Sequence, residues 1–247
     1  MNMRKITSKI FASISITLVI LFLFSACYKV PSFPDTPSIS FDKVEFNQVG
    51  TNTDVDSLLI SISFKDGDGD LGLDGNYTTG DFSSGNYFED NQGNLITFNY
   101  SRLPEYQDLL PPFELPYSCT NWHIKPTIDG VVIEDTLYFE PNINQYNIFV
   151  DFLYKNTPSE EFVDFDWVTD IPQPCGLTID GRFPVLQKEG DGAAIEGHLT
   201  YGFVSVGLIP LFNDKILKLR IQIQDRALNK SNIVESPEFT LKEIQVN

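Results

Sequence analysis

Histidine, cysteine and basic residues are scarce in this chain: 2 His, 3 Cys and 17 Lys plus Arg stand among 247 residues, against 34 Asp plus Glu. So few cationic groups exclude nucleic acid and anionic lipid headgroups as partners, because both are held by basic patches. The acidic balance favours cations, neutral glycans or other proteins. There is no CxxC pair, and His123 and His198 lack partners at ligand spacing, which excludes an ordinary zinc centre. A nucleophile needs a base beside it; both histidines read instead as members of strand faces. GxSxG, HExxH and phosphate-cradling glycine loops are missing. The acidic pairs Glu160 with Glu161 and Asp164 with Asp166 could imitate glycosidase carboxylates, but in so acidic a chain they read as a solvated edge. The expectation is a protein that is not an enzyme.

Helical periodicity is also lacking, and period-two alternation takes its place. Leu217, Leu219, Ile221 and Ile223 alternate with Lys218, Arg220, Gln222 and Gln224. Leu58, Ile60, Ile62 and Phe64 alternate with Leu59, Ser61 and Ser63. Further strands are predicted at 39–46, 95–100, 123–128, 131–139, 146–154, 198–208 and 239–244, separated by Gly, Pro, Asn and Asp clusters. Only 104–110 and 159–163 offer short helices. Residues 74–94, rich in Gly, Asn, Asp and Ser, read as a long loop or irregular hairpin, and 109–116 and 171–176 as proline-containing loops. The fold expected is an all-β sandwich with long loop insertions.

Uncharged apolar chain is confined to one run, residues 10–24, preceded by Arg4, Lys5 and Lys9 and followed by Ser25, Ala26 and Cys27. At about 15 residues it falls short of the roughly 20 that a permanent membrane helix needs, and its layout is that of an export signal. Leu23, Phe24, Ser25, Ala26 and Cys27 resemble the lipobox of bacterial lipoproteins. That resemblance implies cleavage before Cys27 and covalent lipid on it, with residues 1–26 as signal peptide. More than one acyl chain makes such an anchor stable.

Removing residues 1–26 takes away three basic residues and no acidic one, leaving 14 against 34, a formal charge of −20. Residues 27–38 form the lipidated cysteine and a tether carrying Pro31, Pro34 and Pro37, with a reach of roughly 30 Å at about 3.1 Å per residue. Residues 39–247 make one sandwich domain with insertions. Cys119 and Cys175 remain, an even pair in an exported chain: a disulfide and two buried free thiols are equally compatible with their positions.

Asp66, Asp68 and Asp70 alternate with Gly67 and Gly69 directly after a strand. Three carboxylates within five residues repel unless a cation or solvent intervenes. Oxygen ligands at this spacing suit calcium, which takes six to eight of them, and calcium is preferred here over a solvated hairpin turn. Asp74 is a fourth, more distant ligand. The pattern resembles the start of an EF-hand loop but departs from it, with Leu71 at the glycine position and Tyr77 at that of the bidentate glutamate, so a helical EF-hand is excluded.

Asp225, Ala227, Asn229 and Ser231 leave the 217–223 strand at a spacing that resembles the closing hairpin of many bacterial immunoglobulin-like domains. Asp and Asn side chains capping a turn explain it; a share in an ion site with the Asp66 turn is the weaker alternative. Asp56-Ser57-Leu58 and Asp135-Thr136-Leu137 resemble three-residue O-glycosylation acceptors but read as ordinary strand starts. Loop aromatics, among them Phe82, Tyr87, Phe88, Tyr106, Phe113, Phe162, Phe165 and Trp167, read as core first and partner surface second.

Lipobox, acidic turn and closing hairpin together resemble outer-membrane lipoproteins of Bacteroidota with an immunoglobulin-like β-sandwich. The resemblance covers both ends of the mature domain and leaves about 81–197 unaccounted for. It implies a lipid-anchored, non-enzymatic accessory subunit of an outer-membrane protein complex in assembly, export or transport, with a β-barrel protein as partner, on either the periplasmic or the cell-surface face. The alternative is a surface glycan-binding lipoprotein of a nutrient-uptake system.

Overall fold

Thirteen strands and one short α-helix follow one another along the described chain of this computed structural model. They are β1 (Ser38–Asn47), β2 (Asp56–Asp66), β3 (Gly85–Tyr87), β4 (Trp122–Ile124), β5 (Thr127–Ile128), β6 (Val131–Val132) and β7 (Thr136–Pro141). Then come β8 (Ile148–Lys155), β9 (Val163–Asp164), β10 (Ile195–Ser205), α1 (Leu208–Phe212), β11 (Ile216–Ile223), β12 (Val234–Glu235) and β13 (Gln245–Val246). The structure describes residues 32–48, 56–99, 103, 110, 121–128, 130–167, 170–171, 178–187, 192–205 and 207–246. The signal segment, Cys27, Cys119, Cys175, Tyr106, Phe113 and helix positions 104–109 lie outside these residues.

Two four-stranded sheets carry the body, in the orders β10-β2-β1-β13 and β12-β11-β8-β9. In the first, β2 is flanked antiparallel by β1 and β10, while β13 joins β1 in parallel through Phe46 with Gln245 and Asn47 with Val246. In the second, β11 runs antiparallel to β8 with Leu219 opposite Phe152 and Ile221 opposite Val150. Leu58, Ile60, Ile62 and Phe64 of one sheet meet Ile148, Val150, Phe152, Leu217, Leu219, Ile221 and Ile223 of the other in a single buried core. This is the sandwich that the alternation predicts, because period-two strands present one apolar face each and two such faces bury each other. Residues Phe33–Asn247 make up one compact unit.

The 85–141 insertion builds a lobe of its own, a sheet in the order β3-β7-β4 over a small core of Ile96, Leu110 and Trp122 with Phe88, Phe98 and Tyr138 packed against it. The β5–β6 hairpin is formed by the same stretch, with Thr127 opposite Val132 and Ile128 opposite Val131. Arg182 ties the 74–94 loop to the body: its Nη1 donates to the Tyr77 carbonyl at 2.8 Å, its Nη2 to the Phe82 carbonyl at 2.8 Å, and its Nε to the Gln145 carbonyl.

Several predicted boundaries move, each for a local reason. The 123–128 strand breaks into β4 and β5 because Lys125 adopts φ +46 and Pro126 has no N–H to donate. The 131–139 strand likewise divides into β6 and β7, and 95–100 contributes only isolated bridges at Leu95 and Thr97. The strand predicted at 198–208 ends at Ser205, and Leu208 opens α1, where Pro210 falls in the first turn and costs no hydrogen bond. A short unalternating apolar run does not distinguish strand from helix. Residues 239–244 bridge Leu217 only at Phe239 and then turn, because the Thr240 N–H donates to Glu243 while the Glu243 N–H donates back to Thr240 Oγ1. Residues 159–163 are turn and the start of β9 rather than helix.

Candidate metal centre

Along β2 the inward-facing side chains are Leu58, Ile60, Ile62 and Phe64, and the next position of that parity is Asp66. Strand alternation therefore carries a carboxylate into the interior, where Asp66 has 0% of its surface exposed. The same happens on the opposite sheet. Leu217, Leu219, Ile221 and Ile223 of β11 face the core, and two residues on, Asp225 is buried as well. An antiparallel bridge between Leu71 and Asp225 joins the two chain segments.

Carboxylate oxygens of Asp66, Asp70 and Asp225 lie within 4.8 Å of one another. Both Asp66 oxygens, Asp68 Oδ1 and Asp70 Oδ1 are buried and accept no hydrogen bond. Asp70 and Asp225 are held in place by hydrogen-bond donors. Asp70 Oδ2 accepts from the Ala227 N–H at 3.0 Å, and Asp225 accepts from the Asn229 N–H at 2.7 Å and from Asn229 Nδ2 at 2.9 Å. Among the described residues no Lys or Arg nitrogen pairs with any of these four carboxylates. Arg226, the nearest cation in sequence, turns its guanidinium to the Leu71 and Gly72 carbonyls at 3.3 and 3.2 Å.

Crowding these carboxylates in a dry place shifts the acids toward their protonated forms. Burial, reinforced by the charges of Asp68, Asp70 and Asp225, pushes the Asp66 carboxyl up to about 7. The Asp70 N–H opposes that rise without meeting either oxygen at hydrogen-bonding geometry. Burial, with Asp225 and Asp68, pushes Asp70 up to about 6 against the pull of the Arg226 charge and the Ala227 N–H. Asp225 is raised too, by burial first and by Asp68, against the hydrogen bonds from Asn229.

The glycines of the turn are there because nothing larger fits. Gly69 adopts φ +70 and a Cβ there would stand 2.4 Å from the Ala193 carbonyl oxygen; Gly72 adopts φ +98 and its Cβ would stand 2.2 Å from the Pro184 oxygen.

Of the ligands expected from the sequence, Asp66 and Asp70 come together, joined by Asp225; Asp68 stands outside that group of three, but its Oδ1 is buried without a hydrogen bond and its charge bears on the other three acids. Asp74 does not belong to the convergent group: it is exposed and its Oδ1 accepts from the Asn76 N–H at 2.8 Å, capping its own turn. Asp225 takes a place that turn capping alone does not explain, and it caps the Asn229 turn as expected besides. Strand parity was the signal that could have found it.

The histidines fall on strands, as expected. His123 on β4 meets the Tyr87 hydroxyl at 2.7 Å and stacks on Phe139 at 4.8 Å. His198 on β10 has its Nδ1 at 2.9 Å from Ser63 Oγ and 3.0 Å from Asp42 Oδ2. One ring nitrogen serves both contacts, whereas a relay from nucleophile to acid uses the two nitrogens separately. Glu160 caps the turn at Asn156, and Asp164 pairs with Arg220 at 3.1 Å on the surface. Phe165 and Trp167 pack on the main core. Asp56 and Thr136 begin β2 and β7, as ordinary strand starts do.

No family model, no curated protein and no solved structure matches the chain.

Proposed function

We propose that the mature chain is a non-enzymatic lipoprotein of the outer membrane, held by lipid on Cys27, that serves as accessory subunit of an outer-membrane protein complex. The sandwich is its rigid platform, and the insertion lobe is its contact surface. The observation that carries this reading is the group of apolar side chains on the β5–β6 hairpin and its lead-in: Ile124 is 68% exposed, Val131 62% and Val132 51%. Exposed apolar groups on short strands of one lobe offer a surface that an assembly would cover. A formal charge of −20 on the mature chain makes anionic headgroups a poor cover, so the occupant is a protein, and the anchor keeps the chain beside membrane-embedded ones.

The acidic cluster fits a supporting role. Asp66 has no exposed surface, so an ion held there braces the fold and meets no substrate.

Affinity capture of the full-length lipidated protein from native membranes in mild detergent tests the reading. A β-barrel protein is expected to co-purify in near-equal amount and to be lost with Val131→Asp while thermal stability stays unchanged. Recovery of the protein alone, with a glycan affinity that disappears on substituting an aromatic such as Tyr87, overturns it in favour of the sugar-binding alternative.

A further inference from the structure

We propose that Asp66, Asp68, Asp70 and Asp225 bind one calcium ion, and that this ion clasps the two sheets of the sandwich together at one end. The inference goes beyond the accessory role and does not depend on it. It stands on two independent observations: the convergence of three carboxylates within 4.8 Å, and a fully buried side chain, Asp66, that puts an oxygen into that group and has neither of its oxygens hydrogen-bonded.

A buried carboxylate needs a positive partner or hydrogen bonds. The ordinary partners of a buried carboxylate do not answer for this group. A lysine or arginine is not within ion-pair distance among the described residues. Protons taken up by the carboxyls would remove charge but would leave the buried Asp66 oxygens without the partners that such atoms require. Water could satisfy lone pairs but would leave the charges unneutralised. A metal ion supplies both ligation and charge.

The chemistry of the donors selects the ion. All are hard carboxylate oxygens, with no His or Cys among them, which suits calcium or magnesium over zinc or copper. Ligands on opposite sides of a calcium ion lie about 4.6–5.2 Å apart, the scale over which these oxygens spread. Asp66 has both oxygens free for bidentate ligation, and Asp68 and Asp70 each contribute an unpartnered Oδ1. Asp225 keeps a lone pair on each oxygen after accepting from Asn229. Magnesium retains several waters in a strict octahedron; a site built on a residue without exposed surface asks for an ion that sheds them.

Position gives the ion its role. Asp66 closes an inward-facing row of one sheet and Asp225 lies just past the end of such a row on the other, so ligation by both crosses the sandwich. Asn229 and the Ala227 N–H pre-orient Asp225 and Asp70, as groups behind metal ligands do.

The test is calorimetric titration of chelator-stripped full-length protein in detergent with calcium chloride and, separately, magnesium chloride, alongside thermal unfolding. One calcium per chain is expected, with a melting point raised by about 5–10 °C when calcium is a hundredfold above its dissociation constant. Asp66→Asn and Asp225→Asn are expected to weaken binding at least tenfold, and Asp74→Asn to leave it unchanged. Should the buried variants not fold, Asp68→Asn, in the half-buried turn, is expected to weaken binding in the same direction. The proposal is overturned if stripped protein takes up no calcium, if Asp66→Asn or Asp68→Asn binds like the natural chain, or if magnesium binds as tightly. None of these results bears on partner capture, which is read in a separate experiment.

Discussion

Asp66 ends β2 in one sheet and Asp225 lies two residues beyond β11 of the other, each at the position next after the last apolar core-facing side chain, Phe64 in one case and Ile223 in the other. Their carboxylates converge with that of Asp70 within 4.8 Å. The end of the hydrophobic core is thus lined by acids, and the energetics of that end depend on what neutralises them.

Asp66→Asn removes one negative charge from this group while keeping the side-chain volume. In chelator the variant is expected to be more stable than the natural chain by about 1–3 kcal/mol, because like charges in a dry site are costly. In millimolar calcium the ranking should reverse. Urea unfolding under the two conditions measures both, and a variant that is weaker in each speaks against charge as the cause.

Gly72→Ala should destabilise the fold by about 3 kcal/mol. The position combines φ +98 with a Cβ 2.2 Å from the Pro184 oxygen and 2.5 Å from Val185 Cα, so both backbone strain and a clash with rigid chain arise. Gly75→Ala is the control, since a Cβ there meets nothing within 4 Å; denaturant midpoints should separate the two clearly.

Phe212 of α1 stacks on Phe152 with ring centroids 5.1 Å apart and meets Phe165 at 4.8 Å. Phe212→Ala is expected to cost about 3–5 kcal/mol, the range for an aromatic removed from a close-packed core. A loss below 1 kcal/mol in equilibrium unfolding would mean that the helix is an ornament rather than a cover for the sandwich.

Asp180 is a test of pH dependence away from the acidic cluster. Burial raises its carboxyl above the ordinary 3.8, aided by Asp151 and opposed by the Val150 N–H, Thr178 and Lys230. An acid whose folded value is raised holds its proton longer in the folded state than in the unfolded one. Its contribution is therefore lost as pH rises from about 4 through the folded value. Asp180→Asn keeps an oxygen to accept from the Val150 N–H at 2.9 Å and should flatten that part of the stability profile, being the more stable form at pH 8. Parallel profiles for the two proteins would remove Asp180 as the source.

The sandwich was legible where alternation was clean. β11 and the core of β2 lie where Leu217 to Ile223 and Leu58 to Phe64 place them, since one apolar face per strand suffices to specify register. It was illegible where a single residue overrides its neighbours: Pro126 cuts a strand, and Thr240 with Glu243 curls one into a turn. The acidic turn was visible as a motif, yet Asp225 lies about 160 residues away; the closing-hairpin pattern offered it only as the weaker alternative to a turn cap, and extending the parity of β11 by one step is what favours it as a ligand. Arg182 had no local signal at all, because its role is to reach carbonyls at Tyr77 and Phe82, a hundred residues away along the chain.

Gly67, inside the acidic turn, has the backbone of Phe33 and Pro34 laid directly on it: a Cβ at Gly67 would stand 2.4 Å from the Phe33 oxygen and 2.6 Å from the Pro34 carbonyl carbon. The chain enters the body at that spot. A side chain at Gly67 would therefore push the entering segment off the acidic turn, so the seating of the first described residues and the shape of the carboxylate cluster depend on the same glycine.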